Sequence, residues 1–285
     1  MEALKSLHYQ TLTGRGAQED NSLILKHILA LTSLFIYGIK RLLKRQLKEN
    51  LMPFKPTLFV VTDIETTLKK RIAFDIAWRI IDKRGREYNS GSFVIREAFQ
   101  HDVPFFKEKL GHYFDDAYSQ LIKPASIFEV REEYNRQIAN LQEAGHRVIV
   151  CAYNAAFDFK YLPETIQQIS GDMSQRWMQH KVELLDIWDF WGASVPRNYK
   201  ANVSASGKYF STSAESAYRW EFNQSDFVER HIAWHDCLIE SDILCKALAR
   251  RKAMPVVQSP AAFAGAVWKK INTRLGVDGK ELIAA

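Results

Sequence analysis

Four acidic residues and two histidines stand in three short runs of this chain: Asp63-Ile-Glu65-Thr66, Asn154-Ala-Ala-Phe-Asp158 and His231-Ile-Ala-Trp-His-Asp236. Carboxylates brought to one point repel each other, and hard divalent cations such as Mg2+ or Mn2+ relieve that repulsion because they prefer oxygen ligands. A histidine beside them titrates near neutral pH and can take or give a proton. Together these groups suit phosphodiester cleavage, where negative charge builds on the phosphoryl oxygens and the leaving group.

Each run also has an ordinary structural reading. Residues i and i+2 of a strand share a face, so Asp63 and Glu65 project to one side where the strand Thr57-Leu-Phe-Val-Val-Thr62 ends. An Asp-x-Glu occurs about once by chance in a chain this long, and a solvated strand end explains it equally well. Asp158 falls just inside a helix, where a carboxylate favours the dipole, with Asn154 placed to tie down the preceding loop. His231 and Asp236 would lie about 140° apart on one regular helix. His231 therefore belongs to an approach loop near solvent, and Asp236 to the helix proper.

Taken in order, the three runs resemble the exonuclease motifs of the DEDDh family, which has an RNase H-like fold and includes the replicase proofreading epsilon subunit, RNase T and oligoribonuclease. The resemblance covers about residues 57 to 250. It implies a 3'-to-5' exonuclease that uses two Mg2+ or Mn2+ ions per active site and releases nucleoside 5'-monophosphates from single-stranded DNA or RNA ends. It also implies Asp63, Glu65, Asp158 and Asp236 as metal ligands and His231 as general base. His235 is a rival that lacks the four-residue gap to Asp236. Ile232 stands where the family's tyrosine variant has its tyrosine. Thr66, Asn154, Phe157 and Phe74 are the expected substrate contacts. Phe74, Phe157, Tyr161, Trp188, Trp191 and Tyr209 could stack terminal bases, although core packing is the commoner role of such rings. Asp186 resembles a further acidic position of the family and is given no catalytic role.

The elements around these motifs read as α/β, a mixed sheet flanked by helices. After the first strand, Ile72, Phe74, Ile76, Trp78 and Ile80 alternate with Ala73, Asp75, Ala77 and Arg79, which predicts a half-buried strand. Asp82-Lys-Arg-Gly85 is a turn, and residues 88 to 95 form a third strand. A helix over 132 to 143 ends at Gly145, and Arg147 to Ala152 form a fourth strand leading into Asn154. Thr212-Ser-Ala-Glu215 has the form of a capping box opening a helix to Trp220, and a last amphipathic helix ends near Arg250. Gly192 to Gly207 is expected to loop beside the site.

Before this domain, Ile24, Ile28, Leu31, Phe35, Ile39 and Leu42 recur at helical spacing with Lys and Arg crowding the second half, which predicts an amphipathic basic helix ended before Pro53. Residues 1 to about 22 read as a loose terminus. The expected division is a helical extension over 1–56, the catalytic domain over 57–250 and a tail over 251–285 in which 261 to 271 can form a helix. Of the formal charge of +6, residues 1–57 carry nine Lys/Arg against four Asp/Glu. The remainder is nearly neutral, so charge alone does not argue for nucleic-acid binding by the main domain. Three cysteines without a C-x-x-C pair support neither a disulfide framework nor a zinc cluster, and fit a cytoplasmic protein. The longest apolar run, His27 to Ile39, is thirteen residues, short of the ~20 a membrane span requires.

Two further classes compete with the exonuclease. One is a catalytically silent RNase H-like accessory module that docks a partner, or self-associates, through residues 21–50; contact with a membrane surface is a further use of that helix. The other is an endonuclease or a phosphodiesterase acting on small nucleotides.

Overall fold

The computed structural model describes residues 30–33, 36–41, 55–100, 122–201, 203, 207–251, 253–263 and 265–277. The chain divides into two units, 1–55 and 56–285. In the first, residues 30–33 and 36–41 are helical, as the apolar periodicity predicts. The rest of the expected basic helix, the loose terminus over 1–22, part of the loop over 192–207 and the end of the tail lie outside the described residues.

The second unit has the expected α/β architecture, a mixed sheet flanked by helices. Its strands are β1 (Leu58–Thr66), β2 (Ala73–Asp82), β3 (Glu87–Ile95), β4 (Lys123–Ala125), β5 (Val148–Ala152) and β6 (Glu183–Asp186), in spatial order β4-β3-β2-β1-β5-β6. β1, β2 and β3 form an antiparallel meander, while β1–β5, β5–β6 and β3–β4 are parallel pairs. The β2–β3 turn is set by Asp82, whose Oδ1 accepts the Arg84 and Arg86 amides at 2.8 and 3.1 Å, with Gly85 at φ 79°.

β1 lies at the centre because Leu58 to Val61 are apolar throughout and suit a strand covered on both faces. One face, with Leu58, Val60, Phe74, Ile76 and Trp78, is covered by α1 (Ile127–Glu143) and α2 (Ala155–Ser170). The other, with Phe59, Val61 and Ile81, is covered by α3 (Ile187–Ser194), α4 (Ala214–Phe222) and α5 (Ala233–Arg250). β2 is thus buried on both sides, not half-buried as its alternation predicts. Its apolar set meets α1 and α2, and its small and polar set lies under α5. Ala77 packs against Ala233, Trp234 and Cys237, and its small side chain lets α5 approach the sheet closely.

Two helix starts differ from expectation. α1 begins at Ile127, five residues before the expected 132, because Ser126 and Glu129 form a capping box. α4 is capped by Ser213, which accepts the Ser216 amide, not by a Thr212–Glu215 box. Glu215 instead pairs with Arg219 at 3.1 Å and accepts the Glu229 amide at 2.9 Å.

Residues 253–263 and 265–277 pack onto the sheet unit. Val257 and Leu184 exchange backbone hydrogen bonds of 2.9 and 2.8 Å at the β6 edge. The helix expected over 261 to 271 is a short 3-10 turn at Pro260–Ala262 followed by α6 (Val267–Leu275). α6 sits on α3: Ile271 fills the space above Gly192, and the Arg274 Nε donates to the Gly192 carbonyl at 2.9 Å.

Candidate active site

Asp63 and Glu65 are half-buried on the β1 face that α5 covers. Their register partners on β2 are Ala77 and Asp75. The ladder from β1 to β5 ends at Val61 and Cys151, so β1 runs on past β5 and its end is open to groups from other elements.

α2 supplies the first of these. Asn154 adopts a left-handed conformation, φ 66°, and turns the chain from β5 into the helix. Its side chain makes no capping bond. Its backbone N–H instead faces the Asp186 carboxylate and favours the charged form of that group. Asp158 then falls in the first turn of α2, 2% exposed, with its carboxylate facing its own amide and that of Ile64.

α5 supplies the second. His231 is exposed and left-handed at φ 53°, Ile232 is the extended N-cap, and Asp236 lies in the first turn, 5% exposed. The imidazole therefore sits in the approach loop and the carboxylate on the helix, as the spacing requires. Glu65, His231 and Asp236 each place one ligand atom so that all three atoms lie within 4.8 Å of one another.

Two more carboxylates belong to this cluster and went unread in the sequence. Asp75, 0% exposed, accepts the Ala233 amide at 2.9 Å. Glu240, 3% exposed, faces the Tyr153 amide. It follows Asp236 by four residues and so shares its helix face, which was the available signal. For Asp75 the only signal was one acid between two alanines, Ala73 and Ala77, on its strand face.

The electrostatics show how closely these groups converge. Burial, then the charges of Glu240, Asp236, Asp158 and Glu65, hold the Asp63 carboxyl well above the usual range. Asp158 is raised chiefly by burial, against the two amides that face it. Glu240 is raised by burial, then by Asp158, Asp236 and Glu229. Asp63 Oδ2 and Asp158 Oδ1 are buried with no hydrogen-bond partner among the described residues. An all-carboxylate set with unsatisfied buried oxygens fits hard divalent cations.

The aromatic expectations divide. Phe74 is 1% exposed and Trp191 0%, both core residues with no face for a base, because their strand and helix direct them inward. The expected Phe74 contact is therefore not available. Phe157 is half-buried with its ring 4.7 Å from that of Tyr161. Trp188 stacks on Tyr153 at 5.9 Å, and Tyr209 meets Trp268 at 4.8 Å. Thr66 is buried. Asp186 accepts the Asp189 amide at 3.2 Å and faces those of Trp188 and Asn154, and burial pushes its carboxyl up to about 6. It shapes the Asn154 turn.

No protein-family model and no curated protein matches this chain. Solved structures of E. coli Exonuclease I are similar to it. The complex with a dA16 oligonucleotide is 14% identical with a TM-score of 0.42, covering 69% of this chain and 41% of Exonuclease I. The complex with dT13 is 13% identical with a TM-score of 0.41, covering 69% and 42%. This chain thus matches about two fifths of the Exonuclease I length. Likeness at this level decides nothing about activity, which has to be argued from the residues themselves. Among the described residues no helix is long and apolar enough to cross a membrane.

Proposed function

We propose that this protein is a metal-dependent 3'-to-5' exonuclease that releases nucleoside 5'-monophosphates from single-stranded DNA or RNA ends. The observation that carries the reading is the convergence of Asp63, Glu65, Asp158 and Asp236, from three separate elements, on the end of β1 beside His231.

Asp63, Glu65, Asp158 and Asp236 would hold two Mg2+ or Mn2+ ions. When bound, a cation pair supplies charge stabilisation to the attacking and departing oxygens of a phosphodiester. The protein's own part is positional. β1 and the first turns of α2 and α5 hold the carboxylates rigidly, so little reorganisation accompanies charge development. His231, exposed in its loop, takes the proton of the attacking water and returns it to solvent.

Phe157, next to Asp158 and only half-buried, is the ring proposed to stack the terminal base, with Thr66 and Asn154 lining the approach. Stacking on aromatic side chains suits an almost neutral domain that binds single strands. An activity panel tests the function: single-stranded DNA, duplex DNA and short RNA, each with a free or blocked 3' end, in Mg2+, Mn2+ and chelator. The reading predicts metal-dependent mononucleotide release that a 3' block abolishes. Internal cleavage that ignores the block would make the protein an endonuclease.

A further inference from the structure

We propose that Asp75 is a positioning residue for this reaction: through the Ala233 amide it holds the loop bearing His231 and the helical turn bearing Asp236 against the strand end bearing Glu65. The proposal rests on the exonuclease reading of the site.

The argument starts from the helix end. Ala233 is the first residue of α5, and the first amides of a helix have no acceptor within it. The N-cap is Ile232, whose side chain makes no capping bond and has no atom able to accept one. The acceptor comes instead from β2, 158 residues away in sequence: Asp75 Oδ2 takes the Ala233 N–H at 2.9 Å in a fully buried setting. A carboxylate at a helix N-terminus also meets the positive end of the dipole, so this is a strong form of the bond.

What the bond connects gives it a role beyond capping. On the strand side, Asp75 is the register partner of Glu65. Two residues before Ala233 lies His231, left-handed at φ 53°, a conformation that a non-glycine residue keeps only when its surroundings enforce it. Three residues after Ala233 lies Asp236, whose own amide bonds to the Ile232 carbonyl at 3.0 Å. One side chain therefore links the strand of Glu65 to the segment carrying His231 and Asp236, the three residues whose ligand atoms lie within 4.8 Å. β2 also places Ala77 beneath Ala233 and Cys237, so the helix can approach closely enough for the bond to form.

A buried cap that served only the fold would slow no particular step, and this difference is measurable. Amide hydrogen exchange on the full chain is expected to show Ala233 protected in the wild type and in Asp75→Asn, which keeps an acceptor oxygen, and unprotected in Asp75→Ala. In the nuclease assay Asp75→Ala is expected to lower kcat by about 10- to 100-fold with KM little changed, and Asp75→Asn to stay within about threefold. In a His231→Ala background the Asp75→Ala loss should shrink to about threefold or less, because both changes disable the same step. Where Asp75→Ala fails to fold, Asp75→Ser, whose hydroxyl stops short of the amide, replaces it. An active wild type with an unprotected Ala233 amide overturns the proposal alone, as do equal fractional losses in the two backgrounds. A wild type that releases no nucleotide overturns the exonuclease reading itself.

Discussion

The backbone N–H of Ile64, the residue that separates Asp63 from Glu65, faces the Asp158 carboxylate and favours its charged form. The start of α2 thus lies against the stretch of β1 beyond its ladder with β5. Asparagine can still accept that amide but carries no charge. Saturating Mg2+ or Mn2+, at 100 times its Kd, should stabilise the wild type by about 2.7 kcal/mol, a Tm rise of about 5–10 °C for a unit of this size. Asp158→Asn should fold with a metal-free Tm no lower than wild type and lose at least half of that rise. An unchanged rise would remove Asp158 from the metal site.

Glu240 gives a pH prediction. Its carboxyl lies well above the usual range in the folded protein, chiefly through burial. Below the unfolded-state value both states are protonated and no penalty applies. As pH rises past it, the unfolded chain ionises first, so metal-free stability falls until the folded carboxyl ionises too. Glu240→Gln keeps an acceptor for the Tyr153 amide and removes the charge. It should raise the metal-free Tm at pH 8, by about 2–4 °C per kcal/mol relieved, and leave it nearly unchanged at pH 4.5. A melting series across that range checks it; a lower Tm at pH 8 would mean that the charge is compensated.

His231 lies within ligand distance of Glu65 and Asp236, so base and ligand are both geometrically open to it. As the base, its replacement by Ala should lower turnover by about 10²- to 10⁴-fold while Mn2+ affinity, measured by calorimetry, stays within a small factor. A collapse of affinity would make it a ligand.

Gly192 reports on the C-terminal segment. A Cβ there would lie 2.3 Å from Ile271 Cγ1, a backbone-proximal atom that cannot swing aside. Gly192→Ala should cost about 1–3 kcal/mol by overpacking, and faster amide exchange should be concentrated in α6. Unaltered exchange there would show that α6 contributes little to the sheet unit.

The sequence was most informative where chemistry constrains residue type. The i, i+2 geometry of Asp63 and Glu65, the helix start at Asp158 and the loop-then-helix reading of His231 and Asp236 all follow from period and spacing, and the structure has each in its expected element. Asp75 escaped because a lone acid in an alternating strand reads as solvent-facing, and only the covering α5 buries it. Glu240 escaped because an acid on an amphipathic helix usually marks the wet face. Phe74 was misread for the complementary reason: nothing local tells which face of β2 receives α1 and α2. The shift of the α4 cap from Thr212 to Ser213 likewise depends on Glu215 finding Arg219 and the Glu229 amide, which are tertiary partners.

The most direct measurement is release of mononucleotides from a 5'-labelled single-stranded DNA oligomer in Mg2+, by wild type and by Asp63→Ala. The wild type should shorten the oligomer stepwise from its 3' end, and both chelator and the substitution should abolish this. Equal shortening by the two proteins, or none by a folded, metal-saturated wild type, would contradict the assignment of the carboxylate cluster to hydrolysis.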